Sequence, residues 1–188
     1  MTMTGARSPV MRRQRAGALF LLAAGTGSVL LAALAGVVGE FRVNTTPSEP
    51  LGLWRIVPID RSPDVGEMVF VCLPGSAIVE QARARGYLRR GLCASGYAPL
   101  IKTVVAIAGQ RVEIGRSVWI NGVKIPHSEL AQLDGAGRRL IPARGGQVAP
   151  RHVFLHSPFR GSWDSRYFGS VPVSSVLGLA TEVLTYAP

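Results

Sequence analysis

The stretch that most constrains this chain runs from Ala16 to Val38. It reads AGALFLLAAGTGSVLLAALAGVV, 23 consecutive positions without a charge. At about 1.5 Å of rise per residue, a helix of this length spans the ~30 Å hydrocarbon layer of a bilayer. Arg7, Arg12, Arg13 and Arg15 precede it with no acidic residue among them. A cationic flank stays on the cytoplasmic side, so everything after Val38 is expected to face outward from the inner membrane. The expected organisation is a cytoplasmic basic segment over 1–15, a transmembrane anchor over 16–38 and an extracytoplasmic domain over 39–188. Ala33-Leu34-Ala35 ahead of Gly36 has the small-x-small form of a cleavage site, which makes a removable leader the competing reading. The run exceeds the ~7–15 apolar residues of an ordinary leader, which favours the uncleaved anchor.

The remaining residues suffice for one domain with its own core. The net charge is +10, and nineteen of the twenty-one basic residues are arginine. Outside the flank they are scattered, with small clusters at Arg83, Arg85, Arg89, Arg90 and at Arg138, Arg139. No basic helix and no aromatic interleaving accompanies them, so they read as solvated surface and no nucleic-acid partner is expected. The two cysteines, Cys72 and Cys93, would lie in an oxidising compartment, where a single disulfide is reasonable; two unpaired buried thiols are the alternative. Two cysteines and three separated histidines have no ligand spacing, so neither a metal nor another cofactor is expected.

The outward part reads as mainly β, an antiparallel barrel or sandwich-like domain. Strands are expected at Glu67–Val71, Leu100–Ile107, Arg111–Ile114, His152–His156 and Val176–Leu184. Asn121-Gly122 between two β-prone pieces signals a hairpin. Ser76 to Arg85 suits a short helix, with Ser76 as N-cap and Gly86 just past its end. Asp134 to Gly146 is rich in Gly and Arg and reads as a loop.

Lys102 is out of place in this pattern. It sits in PLIKTVVAIAG, and lysine is rarely buried unless paired. An apolar strand disfavours its charged form, and a neutral amine is a general base. Alternation alone also allows it to point to water from an edge strand. A base needs a hydroxyl to activate, and serine–lysine pairs are among the known nucleophilic arrangements. The candidate serines are Ser48, Ser76, Ser95, Ser117, Ser157, Ser162 and Ser165. Ser48 is distinguished by NTTPSEPLGLW, where Pro47 and Pro50 restrict the backbone on both sides. By itself that stretch also reads as a proline-rich linker.

Five segments in order resemble the type I signal peptidase family, the membrane-anchored serine–lysine proteases. TPSEPLGLWR is similar to the nucleophile box, VGEMVFV to the strand after it and PLIKTVVAIAGQRVEI to the lysine box. WINGVKI is similar to the following hairpin, and GSWDSRYFGSV to the last box. The short length, the PSxPxGLW form and the two cysteines ahead of the lysine box resemble the TraF-like branch of conjugative-transfer systems. The chain departs from the family in having Gln110 in place of an acid after Gly109, and Glu49 in place of the methionine often found after the serine.

The resemblance implies Ser48 as nucleophile and Lys102 as general base. Thr46 is implied as a hydroxyl donor to the oxyanion beside the Ser48 N–H, Ser162 as the serine that holds the lysine amine, and Asp164 with Arg166 as a supporting ion pair. It implies a membrane-tethered precursor as substrate, with a propilin, cleaved and in some members joined end to end, implied by the branch. Leu51, Leu53 and Trp54 are placed to line the site or touch lipid. His127, His152 and His156 offer a serine–histidine alternative, but no acid is placed in the sequence to orient a ring. A non-enzymatic anchored β domain, a scaffold of a secretion or conjugation apparatus, is the reading from another class.

Overall fold

The structure is a computed structural model that describes residues 9–187. Arg7 of the basic flank lies outside the described residues. The chain divides after Phe41 into two compact units. The first is dominated by α1 (Pro9–Val38), whose side chains from Arg13 are exposed along nearly its whole length. Arg13–Gly36 within it is long and apolar enough to cross a membrane.

The second unit contains strands β1 (Phe41–Asn44, which begins at the division), β2 (Leu51–Val57), β3 (Met68–Val71), β4 (Leu100–Ile107), β5 (Arg111–Ile114), β6 (Val118–Ile120), β7 (Val123–Lys124), β8 (Gly146–Gln147), β9 (His152–His156), β10 (Val171–Pro172) and β11 (Val176–Tyr186). Two short helices accompany them, α2 (Ala77–Ala84) and α3 (Ser165–Phe168). One sheet has the order β1-β2-β11-β3-β4-β9-β10, the other β7-β6-β5-β8. Every neighbouring pair from β2 to β10 is antiparallel. Neither sheet closes on itself, so of the two forms expected it is the sandwich-like one that the chain adopts.

Local chemistry accounts for the turns. Asn121 and Gly122 take φ of 49° and 79°, the left-handed pair that a two-residue hairpin between β6 and β7 requires. Ser76 caps α2 by accepting from Val79 N, and Gly86 follows the helix end with positive φ. Gly52 has a different reason. A Cβ there would lie 2.1 Å from Leu184 O, so only glycine lets β11 pass behind the start of β2.

The larger sheet is apolar on both faces. Val69, Val71, Val104, Val153 and Leu155 pack with Val79 and Ala82 of α2 on one side; Trp54, Ile56, Phe70 and Ile101 form the other core. Ala106, Val112, Val118, Ile120, Val148 and Phe154 join the smaller sheet to β4 and β9. The central strand β4 therefore contributes to all three cores. Trp54 is completely buried and its indole donates to Pro50 O (2.9 Å), so it is a core residue and faces neither substrate nor lipid.

Cys72 and Cys93 form a disulfide that closes off the excursion carrying α2. A sequence separation of 21 puts the entropic contribution of this cross-link at about 3 kcal/mol. Cys93→Ser is expected to lower the free energy of unfolding by that amount in a denaturant titration. A loss below about 1 kcal/mol would mean that the excursion is held by its own packing.

Candidate active site

The serine-bearing turn joins β1 to β2 and is built around Asn44. The two N–H bonds of the Asn44 amide serve three carbonyls, one hydrogen being shared: Thr46 O (3.0 Å), Glu49 O (2.9 Å) and Pro50 O (3.0 Å). Its oxygen accepts from Thr46 N (3.1 Å) and Thr46 Oγ1 (2.8 Å). One side chain thus uses its full donor and acceptor capacity to shape the turn. Ser48 is half-buried at the apex, with Oγ 3.3 Å from Thr46 Oγ1. Its carbonyl accepts from the hydroxyl of Ser157, 109 residues further on, and its N–H meets no acceptor among the described residues.

Lys102 lies on β4 between β3 and β9, in register with Val69, and is 2% exposed. The edge-strand alternative is therefore excluded: β4 is interior and the lysine faces inward. Nζ donates to Ile101 O (2.8 Å) rather than to a serine. Burial pushes the ammonium below the usual lysine range, opposed by the carboxylates of Asp164 and Glu49 and aided by the charge of Arg166.

The last box forms a buried wall. Asp164 caps α3 and binds Arg166 through two bonds, Nε to Oδ1 and Nη2 to Oδ2, each 2.8 Å, with both side chains fully buried. Arg166 Nη1 donates to Glu129 O (2.9 Å), and Nη2 also reaches Ser162 O (3.2 Å). Asp164 Oδ2 accepts from Ser157 N (3.1 Å). Burial works to raise the Asp164 carboxyl, but His156 and Arg166 outweigh it and hold the carboxyl below its ordinary range. Ser162 is buried, and its hydroxyl makes no hydrogen bond among the described residues.

The fold supplies the acid that the sequence withholds from the histidines. His156 Nδ1 lies 3.4 Å from Asp164 Oδ2. His156 is buried at the end of β9, opposite Thr103, and Asp164 is already committed to Arg166 and Ser157. His152 is on the other end of that strand and turns Nδ1 to Pro150 O (3.0 Å).

A cleft of about 310 Å³ is lined by Thr46, Ser48, Lys102 and Ser162 together with Tyr87, Leu133, Asp134, Leu140, Trp163 and Tyr167. A second depression of about 140 Å³ shares Thr46, Ser48, Tyr87, Leu100 and Lys102 with it and continues toward Asn44 and Phe70. Ser48 and Lys102 therefore line both. The 134–140 loop, part of this lining, is held in place: the Tyr87 hydroxyl donates to the Asp134 carboxylate, which also accepts from Arg138 Nε (2.7 Å). Asp164 and Arg166 lie behind the cleft. Among the described residues no His, Cys, Asp or Glu cluster is suited to a metal.

Asn44 is the residue that sequence reasoning missed, and Ser157, one of the candidate serines, was given no role. Asn44 carries the weak signal of an Asx residue two positions before a Thr-Pro turn. Ser157 carries none, because its partner is remote in the chain.

The boxes of the resemblance thus lie in order along an antiparallel two-sheet domain, with the serine and lysine of two of them lining one cleft. The family profile described as "Signal peptidase, peptidase S26" matches residues 13–185, and the chain belongs to that family, of the TraF type. It is 56% identical over 180 residues to the probable conjugal transfer protein TraF of Sinorhizobium fredii (strain NBRC 101917 / NGR234), covering 94% of this chain and 95% of that protein. It is 53% identical over 178 residues to the conjugal transfer protein TraF of Agrobacterium tumefaciens (strain 15955), covering 94% and 99%. A plasmid transfer protein TraF of Escherichia coli is 34% identical over 171 residues, covering 88% and 94%. The crystal structure of a signal peptidase I from Enterococcus faecalis V583 aligns with a TM-score of 0.39 and 19% identity over 63% of this chain and 97% of that one.

Removing one partner of a fully buried ion pair leaves the other charge uncompensated, at a cost of about 3–5 kcal/mol. Asp164→Ala is expected to lose stability in that range by chemical denaturation. A loss under about 1 kcal/mol would show that the carbonyls around Arg166 suffice to hold it.

Proposed function

We propose that this protein is a membrane-anchored signal peptidase of a conjugative-transfer system, with Ser48 as nucleophile and Lys102 as general base. The observation that carries the proposal is the joint placement of a rigidly held serine and a buried lysine in one cleft. A buried amine below its ordinary range is available as a neutral base, which serine needs in order to attack a carbonyl.

The steps follow from the groups present. Lys102 Nζ takes the Ser48 Oγ proton as Oγ bonds to the carbonyl carbon of the scissile peptide. The negative oxygen is met by the Ser48 N–H; the Thr46 hydroxyl joins it by exchanging its bond to Asn44. The ammonium of Lys102 then returns its proton to the leaving amine as the C–N bond breaks, leaving an ester on Ser48. Water attacks the ester, Lys102 takes its proton and passes it to Ser48 Oγ as the ester C–O bond breaks, and the freed acid loses its own proton to solvent and leaves as a carboxylate. An amine of the substrate in place of that water would close a peptide bond instead, giving a ring.

The amine now points to Ile101 O, and such pairs tighten only when substrate is bound. The unpartnered Ser162 hydroxyl fits the role of receiving the amine when it leaves that carbonyl. Asp164 and Arg166 act as support, through Ser157, for the Ser48 carbonyl. Two depressions meeting at Ser48 accommodate chain on both sides of a cut, as an endopeptidase requires. The helix α1 suits a single membrane anchor, with segment 1–15 cytoplasmic and 39–188 outside. Ser48 follows Val38 by only ten positions, so its substrate is a precursor cut close to the bilayer. The relatives' names point to a conjugation apparatus, and a propilin is the substrate class we assign.

Co-expression with a propilin and with an ordinary preprotein tests this. Wild type is expected to cleave the propilin, and Ser48→Ala and Lys102→Ala to lose at least about 10³-fold in kcat. Cleavage that survives either substitution would remove the dyad assignment. Because Lys102 must be deprotonated, kcat/KM is expected to fall as pH drops through its depressed midpoint, well under ~10.4. A limb at the ordinary lysine value would count against a buried base.

A further inference from the structure

The cleft adjoins a third depression, of about 300 Å³, beside α2. Tyr87, Leu140, Trp163 and Tyr167 line both, so the two share a boundary. The chemistry proposed above uses none of these four side chains. The third depression adds Ile78 and Gln81 of α2, Arg85 and Ile141 to its lining. Ile141 is 68% exposed there, and Leu133 is exposed at the cleft, so apolar surface lies open along both.

The shared boundary is held by contacts between distant segments. Three hydrogen bonds latch the disulfide-closed excursion to the 134–140 loop: the Tyr87 hydroxyl to Asp134, Arg85 Nη1 to Arg139 O (2.9 Å) and Arg138 Nη2 to Arg85 O (2.9 Å). The Arg138 guanidinium also lies over the Tyr87 ring, 5.7 Å from its centre. The Trp163 ring meets Phe168 edge-on, with centroids 4.9 Å apart, and is 6.0 Å from Tyr87. A preformed, mostly apolar concavity with a few polar groups is the ordinary form of a ligand site.

The lining selects the ligand. Among the described residues no acid lines the third depression, and Arg85 is its one cation. A nucleic acid or an anionic lipid surface calls for several cations. One guanidinium among apolar and aromatic side chains suits a peptide: Nη1 meets Arg139 O, and the other N–H groups are donors for backbone carbonyls. The peptide that the shared boundary favours is the chain being cut. We propose that the third depression is a recognition subsite for an apolar segment of the precursor remote from the scissile bond. This rests on the reading of the cleft as the site of cleavage. Contacts so far from the cut add affinity for one precursor over others with a similar cleavage sequence.

Ile141 and Val123 are both exposed, so a charge at either position leaves the fold intact. Val123, on β7, lines none of the three depressions and serves as the control. Cleavage of purified propilin is followed with full-length protein in detergent micelles. Ile141→Glu is expected to raise KM about tenfold with kcat retained, the lower end of what burying an isoleucine contributes. Ile141→Leu is expected to keep the wild-type KM, and Val123→Glu to change nothing. In Ser48→Ala protein, a photoreactive benzoylphenylalanine at position 141 is expected to join to the propilin, and one at position 123 is not. An unchanged KM in Ile141→Glu, or no cross-link from position 141, overturns the subsite; with Ser48→Ala and Lys102→Ala inactive, the dyad stands. Cleavage that survives Ser48→Ala or Lys102→Ala overturns the dyad, and the subsite falls with it because the shared boundary no longer leads to the cut.

Discussion

The burial of one ammonium group in an apolar strand is the constraint from which the rest of this domain follows. β4 supplies residues to three cores and occupies the interior of the larger sheet, so Lys102 has no route to water along the strand. A charge there is costly, and the protein can either neutralise the amine or surround it with counter-charge. Both are present. Burial drives the amine toward neutrality, and Asp164 and Glu49 pull the other way. The net effect leaves the amine below the range of a solvated surface lysine.

Asp164 and Arg166 keep that balance in place. The guanidinium ties together the Glu129, Phe159 and Ser162 carbonyls, from parts of the chain that share no strand. The carboxylate fixes Ser157 N, and the Ser157 hydroxyl holds the Ser48 carbonyl. A continuous path of hydrogen bonds therefore runs from a fully buried ion pair to the backbone of the serine turn. Such pairs are weak evidence for stability but are well suited to fixing one arrangement. His156 belongs to this support, for its carboxylate partner is already engaged on two other sides.

Much of the scaffold was legible in the sequence, and the failures have physical causes. Leu100–Ile107, Arg111–Ile114 and His152–His156 stand out because they are β-branched or alternating and bounded by turn residues, and the chain forms strands over those spans. β1 and β2 were missed because prolines and glycine mask them; β2 is paired by β11, more than a hundred residues away, and β1 adds to the edge of β2. Trp54 beside a serine turn reads as a lining residue, but the sheet turns it into the core. In the site, the serine and the lysine stood out by box and by context. Ser157, and the acid beside His156, depend on contacts between distant segments, which no local pattern encodes.

The turn itself shows why rigidity and chemistry coincide here. Two prolines narrow the backbone, but they leave carbonyls without an ordered acceptor-donor scheme, since proline contributes no N–H. Asn44 supplies the missing donors from within the loop, and Ser157 supplies one from the sheet. The Ser48 N–H is thereby left uncommitted, while the carbonyls around it are satisfied. Ordering the turn in advance means that the cost of holding the hydroxyl in one place is met during folding, so binding need not supply it.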